Sequence, residues 1–460
     1  MKLSFFLVVV FVTQTLINLW AIEVDPDIQI ALSKSQRVRV VVALKDLVNL
    51  QNLKSVNDVK MIKKRLMTAH DLASNGVLNS IESFSKSRKI KVLDQNWASN
   101  SLWIELDKTT LSQLLKRDDI DQIALDREIK LQEPVEKYES DPSNSEWTYG
   151  LQKVGVPEVR KAYGLTGKGI RVGILDTGID PEHPDLKGKV IAWKDFAGWA
   201  KKPKDSSGHG THCAGTIVGG NTSGQSIGVA PDAKLIVGRI FSPLGSVMFG
   251  RILNAMKWMA DPDGDPNTSD HPHITSNSWG AALKTYFTVK NWWKLVETWR
   301  TLGILPVFAA GNSGSEADSM VSPGGFPHSF AVGATDNNDE IAYFSSRGPI
   351  EWMGELFIKP DVTAPGVKVY SAKPGGGYQY LSGTSMACPH VAGMAALLKQ
   401  AEPSLTVSEL EKLLMLTSID LGDAGKDNIY GEGRVNIKLA LDYLKANGMN
   451  RQTGFTTLHQ

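Results

Sequence analysis

Cysteine is nearly absent from this sequence, since its 460 residues include only Cys213 and Cys388. Two cysteines exclude the class of small exported proteins that are held together by several disulfides. We interpret the two residues as free buried thiols, which behave as small apolar side chains; a disulfide between them is the alternative. A packed core must then supply the stability, and 42% of the residues are apolar.

An excess of charge of one sign is also missing. Lys and Arg total 50 and Asp and Glu total 49, which gives a formal net charge of +1. Nucleic-acid-binding proteins normally carry a basic excess. We therefore expect no nucleic-acid partner.

Long apolar runs are absent beyond the first twenty residues, so no stable membrane span is expected. Residues 1–21 have the pattern of a signal peptide, with Lys2 at the positive end, an apolar run over 3–12 and Ala21 at the cleavage point. An uncleaved membrane anchor is the alternative. The pattern predicts a protein secreted to the extracellular space.

Residues 22–132 predict a small α+β domain. Strands are expected at 37–44, 90–93, 102–106 and 120–131, with helices at 59–72 and 109–116. The order βαββαβ is typical of a ferredoxin-like fold. Residues 133–146, rich in Glu, Ser, Asp and Pro, predict an exposed linker that is open to cleavage. Together they suggest a removable pro-domain followed by a maturation site; an ordinary two-domain protein is the alternative.

Residues 147–447 predict a large α/β domain, followed by a frayed tail at 448–460. Strands expected at 169–175, 234–240, 274–277, 305–310 and 330–334 alternate with helices expected at 211–218, 247–260 and 289–302. This alternation predicts a mostly parallel sheet with helices on both faces. Functional residues of such folds gather at the carboxyl ends of strands and at the starts of helices.

Four polar residues fall at such places. Asp176 ends a predicted strand, His209 begins a helix, Asn312 follows a strand, and Ser385 precedes a helix predicted at 391–399. Amide hydrolysis by serine needs a nucleophile, a base, an acid that orients the base, and donors for the oxyanion. We assign these roles to Ser385, His209, Asp176, and the Asn312 side chain with the Ser385 N–H. For Ser385 alone, a purely structural N-cap is the alternative.

The chain order Asp, His, Ser is that of the subtilisin triad, and the surrounding motifs resemble the subtilisin family (S8) of serine proteases. The matching motifs are Asp-Thr-Gly at 176–178, Gly-His-Gly-Thr-His at 208–212, Ala-Gly-Asn at 310–312 and Gly-Thr-Ser-Met-Ala at 383–387. Within the family, Asn-Ser-Trp-Gly at 277–280 and Pro-Gly-Gly-Gly-Tyr at 374–378 are similar to bacillopeptidase F-like members. The likeness covers about residues 147–440.

The resemblance implies a monomeric endopeptidase that binds protein or peptide substrates as an extended strand, with its own pro-domain as an intramolecular inhibitor. The residues that match the lining of the family's specificity cleft are Ser278, Trp279, Gly280, Ala309, Ala310 and Gly311. Trp279 could instead be a core residue. A non-catalytic binding protein and a peptide transferase that uses the same acyl-enzyme are the alternative functions.

Catalysis of this type needs no cofactor, and zinc is rejected because His209 and His212 have no third ligand nearby. The family resemblance suggests structural calcium, for which Asp185 matches a usual ligand, although residues 219–227 depart from the family's ligand loop. A second acidic stretch contains Asp261, Asp263, Asp265 and Asp270. Its prolines and the missing final Glu exclude an EF-hand, and we interpret it as a solvated loop.

Overall fold

The computed structural model describes residues 22–56, 58–85, 90–138, 145–198, 200–282 and 286–447. The predicted signal peptide, residues 139–144 of the predicted linker, and the tail at 448–460 lie outside the described residues. Within the described ranges, no helix combines the length and the apolar character that crossing a bilayer requires.

The N-terminal unit, residues 22–125, is a five-stranded sheet covered by helices. Its elements are β1 Glu23–Val24, α1 Asp27–Lys34, β2 Val38–Leu44, a 3-10 turn Leu50–Leu53, α2 Val59–Ser85, β3 Lys91–Asn96, β4 Ser101–Leu106, α3 Lys108–Leu114 and β5 Ile120–Leu125. The strand order is β1-β5-β2-β4-β3. From β2 to β5 the elements follow the predicted order βαββαβ. The role of this unit as a pro-domain stays a prediction.

The chain then makes two short strands, β6 Glu128–Lys130 and β7 Glu136–Tyr138, before the C-terminal unit, residues 145–447. The elements of that unit are α4 Tyr149–Lys153, α5 Val156–Tyr163, β8 Arg171–Asp176, β9 Val190–Asp195, α6 His209–Val218, β10 Lys234–Arg239, β11 Ser246–Met248, α7 Phe249–Ala260, β12 Ile274–Asn277, α8 Tyr286–Thr301, β13 Leu305–Ala309, β14 Phe330–Thr335, β15 Ile350–Trp352, β16 Glu355–Phe357, β17 Val362–Pro365, β18 Val369–Lys373, β19 Gly377–Ser382, α9 Thr384–Ala401, α10 Val407–Leu416 and α11 Ile437–Asn447.

Seven strands of the C-terminal unit form one sheet in the order β17-β14-β13-β12-β8-β10-β9. Each pairing in it is parallel, from β14 with β17 to β10 with β9. Apart from the edge strand β9, the strands are buried almost throughout, as expected for a parallel sheet that is covered on both faces. The predicted α/β class and the mostly parallel sheet are confirmed.

Two hydrophobic clusters fill the space around this sheet. One contains the apolar residues of α6, α9, α10 and α11. The other contains those of α7 and α8, including Trp292 and Trp299, and it extends into the N-terminal unit through Val41, Ile62 and Leu66. The two units therefore share a continuous apolar core, which makes their separation energetically costly.

Three local predictions are wrong. The helix expected from Val247 begins at Phe249, because residues 246–248 form β11 and pair with β6. The linker is not wholly exposed, because β7 pairs with β19. The loop at 261–270 is not simply solvated, because Lys63 of α2 is buried against Asp261. In each case the partner lies far away in the sequence, so local composition carries no signal for it.

Candidate active site

Four predicted residues meet at the carboxyl edge of the central sheet. Asp176 is the last residue of β8, His209 is the first of α6, Asn312 follows β13 by three residues, and Ser385 is the second residue of α9. Strands β8 and β13 both pair with β12, so their ends lie on either side of the end of β12. The sheet therefore collects residues that are more than 200 positions apart in the chain.

A short hydrogen bond joins two of these residues. His209 Nδ1 lies 2.7 Å from Asp176 Oδ1, and this oxygen also accepts a bond of 2.7 Å from the Thr177 N–H. Both side chains are buried. Burial opposes a charged imidazole, but the Asp176 carboxylate and, to a smaller degree, Cys213 together raise the pKa of His209 well above its ordinary value. The arrangement keeps the proton on Nδ1 and leaves Nε2 as the reactive nitrogen.

Asp205 holds the start of α6, a role that the sequence analysis missed. Its Oδ1 accepts bonds from the Gly208 N–H and the Thr177 hydroxyl, and its Oδ2 accepts bonds from the Thr211 N–H and hydroxyl. One carboxylate thus connects the end of β8 to the first turn of α6. In the sequence, the signal for this role of Asp205 is its place four positions before His209, where a helix is predicted to begin.

Ser385 is held by Ser278. The Ser385 hydroxyl donates to the Ser278 carbonyl oxygen at 3.1 Å, and the Ser278 hydroxyl donates to the Ser385 carbonyl oxygen at 2.9 Å. Pro389, four residues after Ser385, lacks the N–H that would normally bond that carbonyl. The proline therefore leaves the carbonyl free for Ser278 and for the Cys213 thiol, which lies 3.4 Å away.

Asn312 is oriented by Thr384. The Thr384 N–H and hydroxyl donate to Asn312 Oδ1 at 2.9 and 2.8 Å. The same hydroxyl accepts a bond of 3.2 Å from the Gly311 N–H. Because both donors fix the amide oxygen, the amide nitrogen Nδ2 is turned away from them. The hydroxyl of Thr384 is thus a positioning group that the sequence analysis did not identify.

Two nitrogen atoms of this cluster are buried without a partner. Among the described residues, neither His209 Nε2 nor Asn312 Nδ2 has a hydrogen bond. Buried polar groups are usually paired, so such atoms need an explanation. A reacting group placed at Ser385 would satisfy both, because a base and an oxyanion donor are the groups that bond only when substrate is present.

The residues predicted to line a substrate cleft lie beside this cluster. Ser278 contacts Ser385 as described, and the backbone of Ala310 bonds to β14 and to Val321. Gly280 and Gly311 both approach Val321 closely enough that a Cβ would lie under 3 Å from it. The Trp279 ring is 2% exposed and packs edge-to-face on Phe308. It is a core residue, and its cluster also contains Ile129 and Leu131.

Residues 128–138 pass through the same region. Strand β6 runs antiparallel to β11, and the Leu131 N–H donates to the Gly245 carbonyl oxygen at 2.7 Å. Gln132 Oε1 accepts a bond of 3.1 Å from the Asn312 N–H. The Val135 N–H donates to the Ser382 carbonyl oxygen at 2.8 Å, and β7 then runs antiparallel to β19. The chain therefore pairs with the C-terminal unit on both sides of Ser385.

The remaining predicted histidine, His212, and the two cysteines are buried. His212 Nε2 bonds the Val369 carbonyl oxygen at 3.0 Å, and burial lowers the pKa of His212 to about 3. Cys213 and Cys388 are both buried free thiols, as the preferred interpretation expected. His212 is therefore a neutral structural residue.

The surroundings of Asp185 do not fit a calcium ion. Its Oδ1 accepts bonds from the N–H and hydroxyl of Thr222, and its Oδ2 accepts a bond of 2.8 Å from the Tyr378 hydroxyl. Calcium requires six to eight oxygen ligands. In the part of the chain that the structure describes, Asp185 belongs to no group of metal-ligating side chains. The suggested role of Asp185 as a calcium ligand is not supported, because hydrogen-bond donors engage both oxygens.

Known proteins resemble this chain over more than half of its length. Residues 167–433 match the model of the Peptidase S8, or subtilase, family. Over 303 residues the chain is 38% identical to Bacillopeptidase F and to Serine protease AprX, both of Bacillus subtilis. The matches cover 60% of this chain, but 21% of Bacillopeptidase F and 67% of AprX. M-protease of Shouchella clausii is 36% identical over 330 residues, 72% of this chain and 78% of that protein.

The position of Asp176 predicts the titration of His209. We expect the His209 ring to titrate above about 6.5, the ordinary histidine value, and Asp176→Asn to lower that midpoint. Because the folded pKa is raised, the pair stabilises the fold fully below about pH 6.5, and this contribution is lost as the pH rises through the folded pKa. NMR of labelled imidazole nitrogens measures the midpoint. A midpoint that Asp176→Asn leaves unchanged would contradict the assignment.

Proposed function

This chain belongs to the subtilase family of serine proteases, and we propose that it is a secreted serine endopeptidase, made as a precursor that processes itself. One observation supports the catalytic part most directly. The bonded Asp176–His209 pair lies with Asn312 beside Ser385, and two nitrogen atoms that have no hydrogen bond among the described residues, His209 Nε2 and Asn312 Nδ2, are those that the proposed reaction uses. The predicted signal peptide supports secretion.

In the proposed reaction, the Ser385 hydroxyl leaves the Ser278 carbonyl and transfers its proton to His209 Nε2 as its oxygen attacks the substrate carbonyl. Asp176 stabilises the imidazolium that forms. Asn312 Nδ2 and the Ser385 N–H, which is a free donor in the first turn of α9, bond the oxyanion. His209 then protonates the leaving amine, an acyl-enzyme remains, and water attacks it by the same steps in reverse.

The position of residues 128–138 supports the proposal that the precursor is inhibited. Residues 128–138 bind as an extended strand on both sides of Ser385, which is the way a peptide substrate would bind by strand addition. Ile129 and Leu131 are 2% and 7% exposed, so they fill apolar positions that a substrate side chain would fill. While this segment is in place, no other peptide can reach Ser385.

The same contacts indicate the bond that is cut. Leu131 and Gln132 are held before Ser385 by Gly245 and Asn312, and Val135 is held after it by Ser382. Three peptide bonds lie between these anchors. The side-chain Oε1 of Gln132 accepts the backbone N–H of Asn312, so Gln132 is held beside the residue that carries a proposed oxyanion donor. The bond that follows Gln132 is therefore the first candidate. The next bond leads to Pro134, whose tertiary amide lacks an N–H. We therefore propose cleavage between Gln132 and Glu133.

Self-processing gives a direct test of the nucleophile. We expect the chain expressed from residue 22 to shorten to a product that begins at Glu133, and the Ser385→Ala variant to remain at full length. Ser404→Ala, which changes an exposed serine outside the site, serves as the matched control and should shorten normally. Intact-mass measurements over time distinguish these products. If Ser385→Ala shortened at the same rate, Ser385 would not be the nucleophile.

The same preparation should hydrolyse casein and react with a serine-directed phosphonate once it has shortened. A shortened chain that reacts with the phosphonate but transfers added amines instead of releasing acid would favour the peptide-transferase alternative. If a folded and shortened chain did not react with the phosphonate, the result would favour the alternative of a non-catalytic binding protein.

The role of Asn312 predicts a loss of rate without a loss of binding. We expect Asn312→Ala to reduce kcat by about 10²–10³-fold, the loss measured for an oxyanion-hole donor in subtilisin, with little change in KM. Single-turnover self-cleavage and steady-state peptide hydrolysis both measure it. Thr384→Val should give a smaller loss by freeing the amide, whereas Thr384→Ser, which keeps the hydroxyl, should retain most of the rate. A fully active Asn312→Ala variant would refute the role.

A further inference from the structure

The loop at 261–270, between α7 and β12, presents three carboxylates to one point. One oxygen each from Asp261, Asp263 and Asp270 lies within 4.8 Å of the others. The loop holds two of them itself: the Asp263 N–H donates to Asp270 Oδ2 at 2.7 Å, and the Thr268 hydroxyl bonds Asp263 at 3.1 Å. These contacts lie within the loop, so they do not depend on the N-terminal unit.

A cation from the other unit already occupies this point. Lys63 of α2 is 0% exposed, and its Nζ lies 2.6 Å from Asp261 Oδ1. The same Nζ lies 3.4 Å from Asp270 Oδ1 and 3.4 Å from the Thr268 carbonyl oxygen. Two carboxylates and a backbone carbonyl thus surround one buried ammonium. All three are hard oxygen ligands of the kind that calcium prefers.

The ammonium of Lys63 does not neutralise the carboxylates of this loop. Asp261 is only 5% exposed, and within the described ranges its second oxygen, Oδ2, is buried without a hydrogen-bond partner. The group holds three carboxylates, Lys63 bonds two of them, and Arg171 interacts with Asp270. Three negative charges against two positive ones leave a formal excess of one negative charge. A divalent cation would neutralise more of this charge than Lys63 does and could bond the unpaired oxygen as well.

Two other ion pairs across the same interface are more exposed than this one. Lys257 with Asp94 and Lys294 with Asp46 keep between 20% and 52% of each side chain exposed, so water can take over when the units separate. Asp261, in contrast, is only 5% exposed while the N-terminal unit is docked, so in that state water does not reach it in place of Lys63. Removing only one partner of a buried pair is strongly destabilising, because a buried charge is left uncompensated.

We propose that the loop at 261–270 is a divalent-cation site of the calcium class, and that Lys63 fills it only while the N-terminal unit is docked. The cation and the N-terminal unit then compete for the same carboxylates. After the cleavage that the proposed function includes, calcium would take the place of Lys63 and hinder the return of the N-terminal unit. This last step rests on the proposed function, whereas the competition at the site does not.

The full chain carrying Ser385→Ala tests the site, because it removes self-cleavage from the measurement. Adding Lys63→Met should lower the Tm in a chelator. The methionine keeps Asp261 covered from water but leaves its charge without a partner. Calcium at about 100 times its Kd should then raise the Tm by roughly 5 °C. Isothermal titration should show one more bound calcium than the Ser385→Ala parent binds.

Three further variants keep the test decisive. Lys63→Gln keeps polar contacts while removing the charge, and it should gain the same calcium site if Lys63→Met fails to fold. Asp261→Asn in the Lys63→Gln chain should abolish the gain, and Lys257→Met, which removes an exposed interface lysine, should gain nothing. Folded Lys63 variants without an added calcium site, or a gain that survives Asp261→Asn, would overturn the proposal. Failure of the wild-type chain to process itself would bear only on the proposed function.

Discussion

The buried carboxylate of Asp176 is the group on which the site depends. It lies at the end of β8, in the middle of the seven-stranded sheet, where no water screens its charge. Two donors share its Oδ1, the Thr177 N–H and His209 Nδ1. The first fixes the carboxylate in its own strand, and the second fixes the imidazole. Asp205 completes the arrangement by bonding Thr177 on one side and the first turn of α6 on the other.

Helix α9 positions Ser385 through an irregularity in its backbone hydrogen bonds. A regular helix would bond the Ser385 carbonyl to the N–H of residue 389, but proline occupies that position. The carbonyl instead accepts bonds from Ser278 and Cys213, which lie on segments from two other elements. The position of the serine is therefore determined by three segments together, and the shared bonds tie α9 to α6 and to the end of β12.

The sequence predicted the residues of the site better than the contacts that hold them. Asp176, His209, Asn312 and Ser385 could be identified because a parallel sheet gathers strand ends and helix starts. The sequence predicts Ser278 only as a cleft residue and does not identify Thr384, because the hydroxyl bonds of both residues depend on exact distances between separate elements. Lys63 lies 198 residues before Asp261, and a lysine on an amphipathic helix normally faces solvent. Strand β7 is three residues long and partly charged, so only its pairing with β19 shows that it is a strand.

The paired strands on both sides of Ser385 also bear on how reversible the proposed cut would be. Strand β7 remains part of the C-terminal unit after a break between Gln132 and Glu133, and its pairing with β19 would keep the new amino group beside the acyl-enzyme. Such tethering gives the amine a high effective concentration, often in the millimolar range for a short flexible connection. Re-formation of the peptide bond by this amine would then compete with hydrolysis of the acyl-enzyme. Release of β7 from β19, more than the chemistry at Ser385, would make the conversion one-way.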